Sequence, residues 1–148
     1  MHERMRCGRD EDGSALPLII FFGALSVLLV LIVAAATSLY LEKKQLFTLA
    51  DASALVGAEA FDLEDVTIGD DGPRVRLDPA RVRADVSEYL DNEPTGAFDA
   101  LTLEDATSFD GRSATVTVSA TWHPPVVALF LPEGMRINAT ASARSVFG

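Results

Sequence analysis

The first third of the chain is dominated by one long uncharged stretch. No charged residue occurs between Asp12 and Glu42, and the residues from Ala15 to Ala36 are almost all apolar. A helix needs about 20 apolar residues to cross the hydrocarbon core of a bilayer. The pattern therefore predicts a transmembrane helix over residues 14–41, preceded by a short leader over residues 1–13.

The residues after the span favour a continuation of the same helix. No proline and no glycine occurs between Glu42 and Gly57, so we expect an amphipathic helical stem over residues 42–61. A strip of small residues, with four-residue spacing between its alanines, lies along one side: Ala50, Ala54, Gly57 and Ala58. Small side chains allow another helix or a sheet to approach closely. The strip is a candidate helix-packing site, and its cover is either a neighbouring protein or the core of the chain itself.

The rest of the chain, residues 62–148, has the pattern of a small external α+β domain. Val66–Ile68 and Arg74–Leu77 flank a glycine-rich turn and predict a hairpin. Asp78-Pro79 is a typical helix start, and apolar spacing extends that helix to about Asp91. Antiparallel strands are expected to begin at Leu101 and to cover 114–122 and 135–146, with a short apolar segment at 126–131. The predicted fold is a long helix packed on a small antiparallel sheet.

Charge is distributed unevenly and limits the partners. Through Lys44 the chain has five basic and five acidic residues, so the formal charge of −10 arises beyond that residue. An acidic domain without a basic stripe does not suit a nucleic acid, whose phosphates need Lys and Arg. Three arginines precede the span and two lysines follow it, which favours a cytoplasmic leader. The only cysteine, Cys7, lies in that leader, so no disulfide is expected outside.

Catalytic and ligand-binding constellations are not recognisable in the sequence. His2 and His123 are the only histidines, and they fall on opposite sides of the predicted span. A zinc site needs about four nitrogen or sulfur ligands, and a catalytic triad needs a histidine with an orienting acid. We therefore expect no catalytic residues, no cofactor and no metal, and a protein that is not an enzyme.

A cleaved secretory signal is an alternative reading of the N-terminal region. Ala34-Ala35-Ala36 resembles an A-x-A cleavage site, after which a secreted domain would begin at Thr37. The apolar part of a signal peptide has about 7–15 residues. The apolar block here is longer, which favours an uncleaved anchor.

The stem carries a motif that resembles a known family. Leu46-Phe47-Thr48-Leu49-Ala50-Asp51-Ala52-Ser53-Ala54-Leu55, together with the charged leader ending in Gly13, resembles the N-terminal region of TadE/TadG-like proteins. These are pilin-related proteins of the bacterial tight-adherence (Flp) pilus system. The resemblance implies a pilin-like minor subunit or assembly factor. It also implies Gly13 and Ser14 as a candidate processing junction, because type IV prepilins are cut after a glycine. Leu18 then stands at the fifth mature position, where such proteins typically have glutamate, and this departure favours the TadG-like branch.

Three hypotheses follow for the protein. The first is a single-pass protein of the cytoplasmic (inner) membrane with its C-terminal domain outside, which contacts membrane lipid, other pilin-like or Tad-system membrane proteins, and further copies of its own stem. The second is a membrane-tethered binding module, in which the helix only anchors. The third is a domain secreted after cleavage at Ala36. Entry into a surface pilus is left open.

Overall fold

A computed structural model describes residues 12–62, 64, 66–69, 72–93, 96–124 and 132–146. The elements in chain order are two helices and five strands: α1 Asp12–Ala58, β1 Val66–Gly69, β2 Gly72–Val75, α2 Pro79–Asn92, β3 Asp99–Thr107, β4 Ser113–Trp122 and β5 Met135–Arg144. The apolar segment expected at 126–131 and most of the leader lie outside the described residues. The chain divides into two compact units, Met1–Thr37 and Ser38–Gly148.

The first unit contributes the apolar part of α1. Its side chains from Ala15 onward are mostly exposed, and its most apolar 18-residue window has a mean hydropathy of 3.0 with none of it buried. The hydroxyls of Ser26 and Thr37 donate to the carbonyls four residues earlier, at 2.8 Å each. Polar groups satisfied within their own helix suit an apolar surrounding. Among the described residues this is the one helix long and apolar enough to cross a membrane, a property that a single-pass anchor shares with a signal sequence.

In the second unit, β3, β4 and β5 form an antiparallel sheet in that order. In the β4–β5 pair, Val116 lies opposite Ala141 and Val118 lies opposite Ala139. All four of these side chains are buried, while alternate residues such as Thr117 and Thr140 lie on the other face. The period-two alternation predicted for these strands therefore turns one face of the sheet towards the core.

Helix α2 begins and packs as the sequence predicts. The Asp78 carboxylate accepts a hydrogen bond from the backbone N–H of Ala80 at 3.1 Å, and Pro79 occupies the first turn. Val82, Val86 and Leu90 recur every four residues and form the buried stripe. This stripe lies in the same core as the buried face of the sheet.

Strands β1 and β2 form a separate two-stranded sheet. Val66 pairs with Val75, as expected for a hairpin across the intervening turn. The N–H of Leu77 donates to the carbonyl of Gly111 at 2.9 Å, which joins the segment after β2 to the turn between β3 and β4. Val75 and Leu77 are buried, so the hairpin also contributes to the core.

The C-terminal part of α1 completes this core. Leu46, Ala50, Ala54 and Ala58 are all nearly inaccessible to solvent and lie in one cluster with α2 and the sheet. The indole N–H of Trp122 donates to the Ser38 hydroxyl at 3.4 Å, near the start of this unit. The arrangement is α+β and pilin-like, with a long helix packed against small antiparallel sheets, as predicted.

Candidate functional site

The strip of small residues predicted on the stem is buried within its own chain. Ala50 and Ala54 are 0% exposed, and Ala58 is 2% exposed. A Cβ placed on Gly57 would lie 3.0 Å from the Ala114 Cβ, 3.1 Å from the Val82 Cγ1 and 3.2 Å from the Val86 Cγ2. Gly57 thus marks the point where α1, α2 and β4 meet.

Of the two covers that the sequence allowed for this strip, the structure has the chain's own core. The spacing alone could not distinguish them, because a helix face that admits a partner closely also admits a sheet closely. Ala54→Leu would consequently place three extra carbons in a filled core before it affected any neighbouring protein. A contact between stems has to use a different face of α1.

The side of the stem next to the buried strip carries large apolar side chains in contact with solvent. Tyr40, Phe47 and Leu55 are 67%, 52% and 53% exposed. With the exposed Lys44 and Asp51 they follow a spacing of four, three, four and four residues. Residues at this spacing share one side of a helix, and here they extend over about 22 Å at 1.5 Å per residue. We call these five residues the outer stem face.

Sequence reasoning missed the outer stem face, although its spacing is visible in the chain. Single exposed apolar residues are common, so Phe47 or Leu55 alone would indicate nothing. What distinguishes them is their alignment along one exposed side of the helix, next to the buried strip. The buried strip drew attention because its residue types are unusual, whereas the outer stem face uses ordinary ones.

The candidate processing junction lies in the first turn of α1. The helix begins at Asp12 and contains Pro17, so the backbone of Gly13 and Ser14 is helical. Proline has no backbone N–H, and the Gly13 carbonyl therefore lacks the donor that residue 17 would otherwise supply. This carbonyl belongs to the peptide bond that processing would cleave. Cleavage between Gly13 and Ser14 stays a prediction.

Three titratable side chains gather just beyond the span. The Nδ1 of His123 lies 3.4 Å from the Oδ2 of Asp99. Burial raises the pKa of the Glu42 carboxyl, while the charge of His123 acts in the opposite direction and that of Asp99 in the same one. Within the ranges that the structure describes, no group of three His, Cys, Asp or Glu side chains is placed to hold a metal ion.

An apolar helix long enough to cross a membrane, whose extension forms part of the core of a small α+β domain, is a pilin-like arrangement. Comparison with known families identifies the segment more closely. Residues 13–60 match the Tad family model, Flp pilus-assembly TadE/G-like, which confirms the resemblance predicted from the stem motif. The match covers the apolar span and the stem, and it ends two residues after α1 does. No curated protein and no solved structure matches the chain significantly.

Proposed function

We propose that this protein is a pilin-like minor subunit or assembly factor of a Tad/Flp-type pilus system, and that it acts structurally rather than as an enzyme. The observation that carries the proposal is the family match over residues 13–60, since this segment is the span and the stem together. Its partners would be membrane lipid around the span and other pilin-like or Tad-system membrane proteins along the stem.

The proposed location is the cytoplasmic membrane, with the leader inside and the α+β domain outside. The support is the charge pattern, with three arginines before the span and the larger domain after it. The exposed Lys43 and Lys44 follow the span directly, so their charged heads would lie at the lipid–water boundary. Tyr40, also exposed, is of the residue type that favours this boundary.

The outer stem face is the proposed surface for contact between stems. Its three large apolar side chains, Tyr40, Phe47 and Leu55, remain accessible although the domain itself covers the buried strip. Lys44 and Asp51 lie seven residues apart on this face, so two parallel copies displaced by seven residues would bring opposite charges together. Such a displacement corresponds to about 10 Å along the helix axis.

Site-specific photo-crosslinking in cells tests this function. A photoreactive residue at Phe47 should give reproducible adducts with other stems or with Tad-system membrane proteins. The same residue at Ala84, exposed on α2, is the matched control and should give far fewer. Adducts to lipid alone at position 47 would contradict the assembly role and favour a plain membrane tether.

The mass of the mature N-terminus provides an independent test of processing. A chain beginning at Ser14 would support prepilin-type cleavage, and an intact leader would support an assembly factor that keeps its anchor unprocessed. A chain beginning at Thr37 would overturn the membrane-anchored function, because the secreted domain would then be the mature form.

A further inference from the structure

A cavity lies beside the turn between β3 and β4, remote in sequence from the stem. Its volume is about 350 Å³, and three segments line it: the β1–β2 hairpin with the residues that follow, the first residue of α2, and residues 108–112. The hydrogen bond from Leu77 to Gly111 holds the first and third segments together. Ligand pockets in proteins begin at about this size.

The cavity is cationic within an acidic protein. Its lining includes Arg74, Arg76 and Arg112, whereas the whole chain has a net charge of −10. Arg74 already has an interaction of its own. Arg76 and Arg112 are exposed and form no ion pair with any residue in the described ranges, although Arg81, Arg83 and Arg136 all do.

The one carboxylate in the lining, Asp110, forms no ion pair with either of these two guanidinium groups. Asp110 accepts hydrogen bonds from the N–H of Arg112 at 2.8 Å and of Ser113 at 2.7 Å, and its other oxygen accepts from the Ser113 hydroxyl at 3.1 Å. Its oxygens are thus directed at groups of the turn and not at a guanidinium group, and three arginines against one carboxylate leave the lining positively charged. The next residue, Gly111, has a φ of +67°. The Cγ of Arg76 lies 3.1 Å from the position that a Cβ would occupy there, so the aliphatic part of the Arg76 side chain fills this space.

Two further features point to a ligand at this place. Phe109, which lines the cavity, is 86% exposed, so a large aromatic ring stands beside the two arginines. Ser108, also in the lining, is only 7% exposed, and its hydroxyl has no hydrogen-bond partner among the described residues. Arginine and aromatic side chains are the types enriched where proteins bind other proteins.

We infer that this cavity binds an acidic segment of polypeptide, with Arg76 and Arg112 each paired to a carboxylate and Phe109 packed against the apolar part of the same segment. Guanidinium groups bind carboxylates through paired, charge-assisted hydrogen bonds. We take the source of this segment to be a second copy of the chain, in which Glu88 and Asp91 are exposed one helical turn apart on α2. This choice of source rests on the proposed function, whereas the site itself rests only on the residues that line the cavity.

Titration of a labelled hexaglutamate peptide against the full-length protein in detergent tests the site. The double variant Arg76→Glu/Arg112→Glu should bind the peptide at least about tenfold more weakly, the equivalent of losing one charge-assisted hydrogen bond. The matched control is Lys43→Glu/Arg83→Glu, which changes the net charge equally at two exposed residues outside the cavity lining and should bind within about twofold of the wild type. Arg76→Gln/Arg112→Gln repeats the test with a milder change, and Trp122 fluorescence checks that each variant is folded.

Equal weakening in both charge-reversed variants would overturn the site, because attraction would then depend on net charge alone. Binding of inorganic phosphate in place of the peptide would overturn the polypeptide ligand. Sedimentation of the protein alone at low salt identifies the source of the segment. If the wild type associates and Arg76→Glu/Arg112→Glu abolishes this association, the segment belongs to a second copy. If the wild type binds the peptide but stays monomeric, the segment belongs to another protein. Stem crosslinking at Phe47 is a separate readout, so failure of either proposal leaves the other measurable.

Discussion

Gly57 on α1 faces Ala114 on β4 so closely that a Cβ on the glycine would lie 3.0 Å from the Cβ of the alanine. Contacts of this length leave no room for a larger side chain unless a neighbour moves. The closeness of helix and strand at this point depends on two of the smallest residues in the chain meeting each other.

Replacement of Gly57 by valine should therefore destabilise the α+β domain. Overpacking of a filled core costs about 1–3 kcal/mol. Urea unfolding of the detergent-solubilised chain, followed by the fluorescence of Trp122, measures the effect, since Trp122 is the only tryptophan and is buried. Gly23→Val is the matched control, because no atom outside its own stretch of helix lies within 4 Å of its Cβ position in the described residues. Equal stability of the two variants would mean that α1 and β4 are further apart than described.

Gly134 should tolerate no side chain. Its φ is +67°, and a Cβ there would lie 2.7 Å from the Thr121 Cγ2 and 2.9 Å from the Trp122 carbonyl oxygen. The left-handed conformation alone costs an L-residue about 1–2 kcal/mol. Gly134→Ala should lower the free energy of unfolding by at least that amount, whereas Gly96→Ala, with open space around it, should have little effect. An unaffected Gly134→Ala would show that the turn before β5 has a different backbone.

The acid stability of the domain should depend on Glu104. Hydrogen bonds from Ser119 and Arg136 lower the pKa of its carboxyl below the ordinary value of 4.5. A lowered pKa in the folded state stabilises the fold above the ordinary pKa, and this contribution is lost as the pH falls through the folded-state value. Glu104→Gln should thus reduce stability at pH 7 and flatten its decline below about pH 4.5.

The control for this experiment is Glu88→Gln, which removes an exposed carboxylate that has no ion pair among the described residues. Its unfolding midpoint should follow the wild type across the whole pH range. A wild-type slope retained in Glu104→Gln would assign the acid sensitivity to other carboxylates, such as Asp110, whose pKa the backbone N–H groups of Arg112 and Ser113 also lower.

The predicted orientation can be measured with thiol labelling. In a chain that carries Cys7→Ser, a cysteine placed at the exposed Ala84 should react with a membrane-impermeant maleimide in intact spheroplasts. Cys7 in the wild-type chain should react only after the membrane is opened, if the leader is retained. Labelling of position 84 only after lysis would reverse the topology and contradict the external location.

Local patterns in the sequence predicted most of the helices and strands, because the ends of these elements are set by residues next to each other in the chain. Helix α2 begins at Pro79 because Asp78 and proline both favour a helix start, and neither depends on the rest of the fold. The hairpin of β1 and β2 and the long strand β4 follow from turn residues and alternation in the same way. A rule that involves neighbouring residues can be applied before the fold is known.

What could not be predicted depends on residues distant in sequence. The small residues around Ala54 indicate close packing, but they do not identify the surface that packs against them. In the sequence, Arg76 and Arg112 are two unrelated arginines. Their segments lie together only because the Leu77 N–H donates a hydrogen bond to the Gly111 carbonyl. Both features arise only when the chain has folded, so the spacing of residues along one element carries no information about them.

The burial of the stem in the domain's core has a consequence for the order of biosynthesis. Leu46, Ala50 and Ala54 are among the first core residues to be made, whereas Ile137, Ala139 and Ala141 of β5 are among the last. The apolar side of the stem consequently has no cover until nearly the whole chain has been translated. During that interval the apolar side of the stem has no packing partner. We therefore expect a nascent chain whose translation is arrested before β5 to recruit chaperones or to aggregate at the membrane surface.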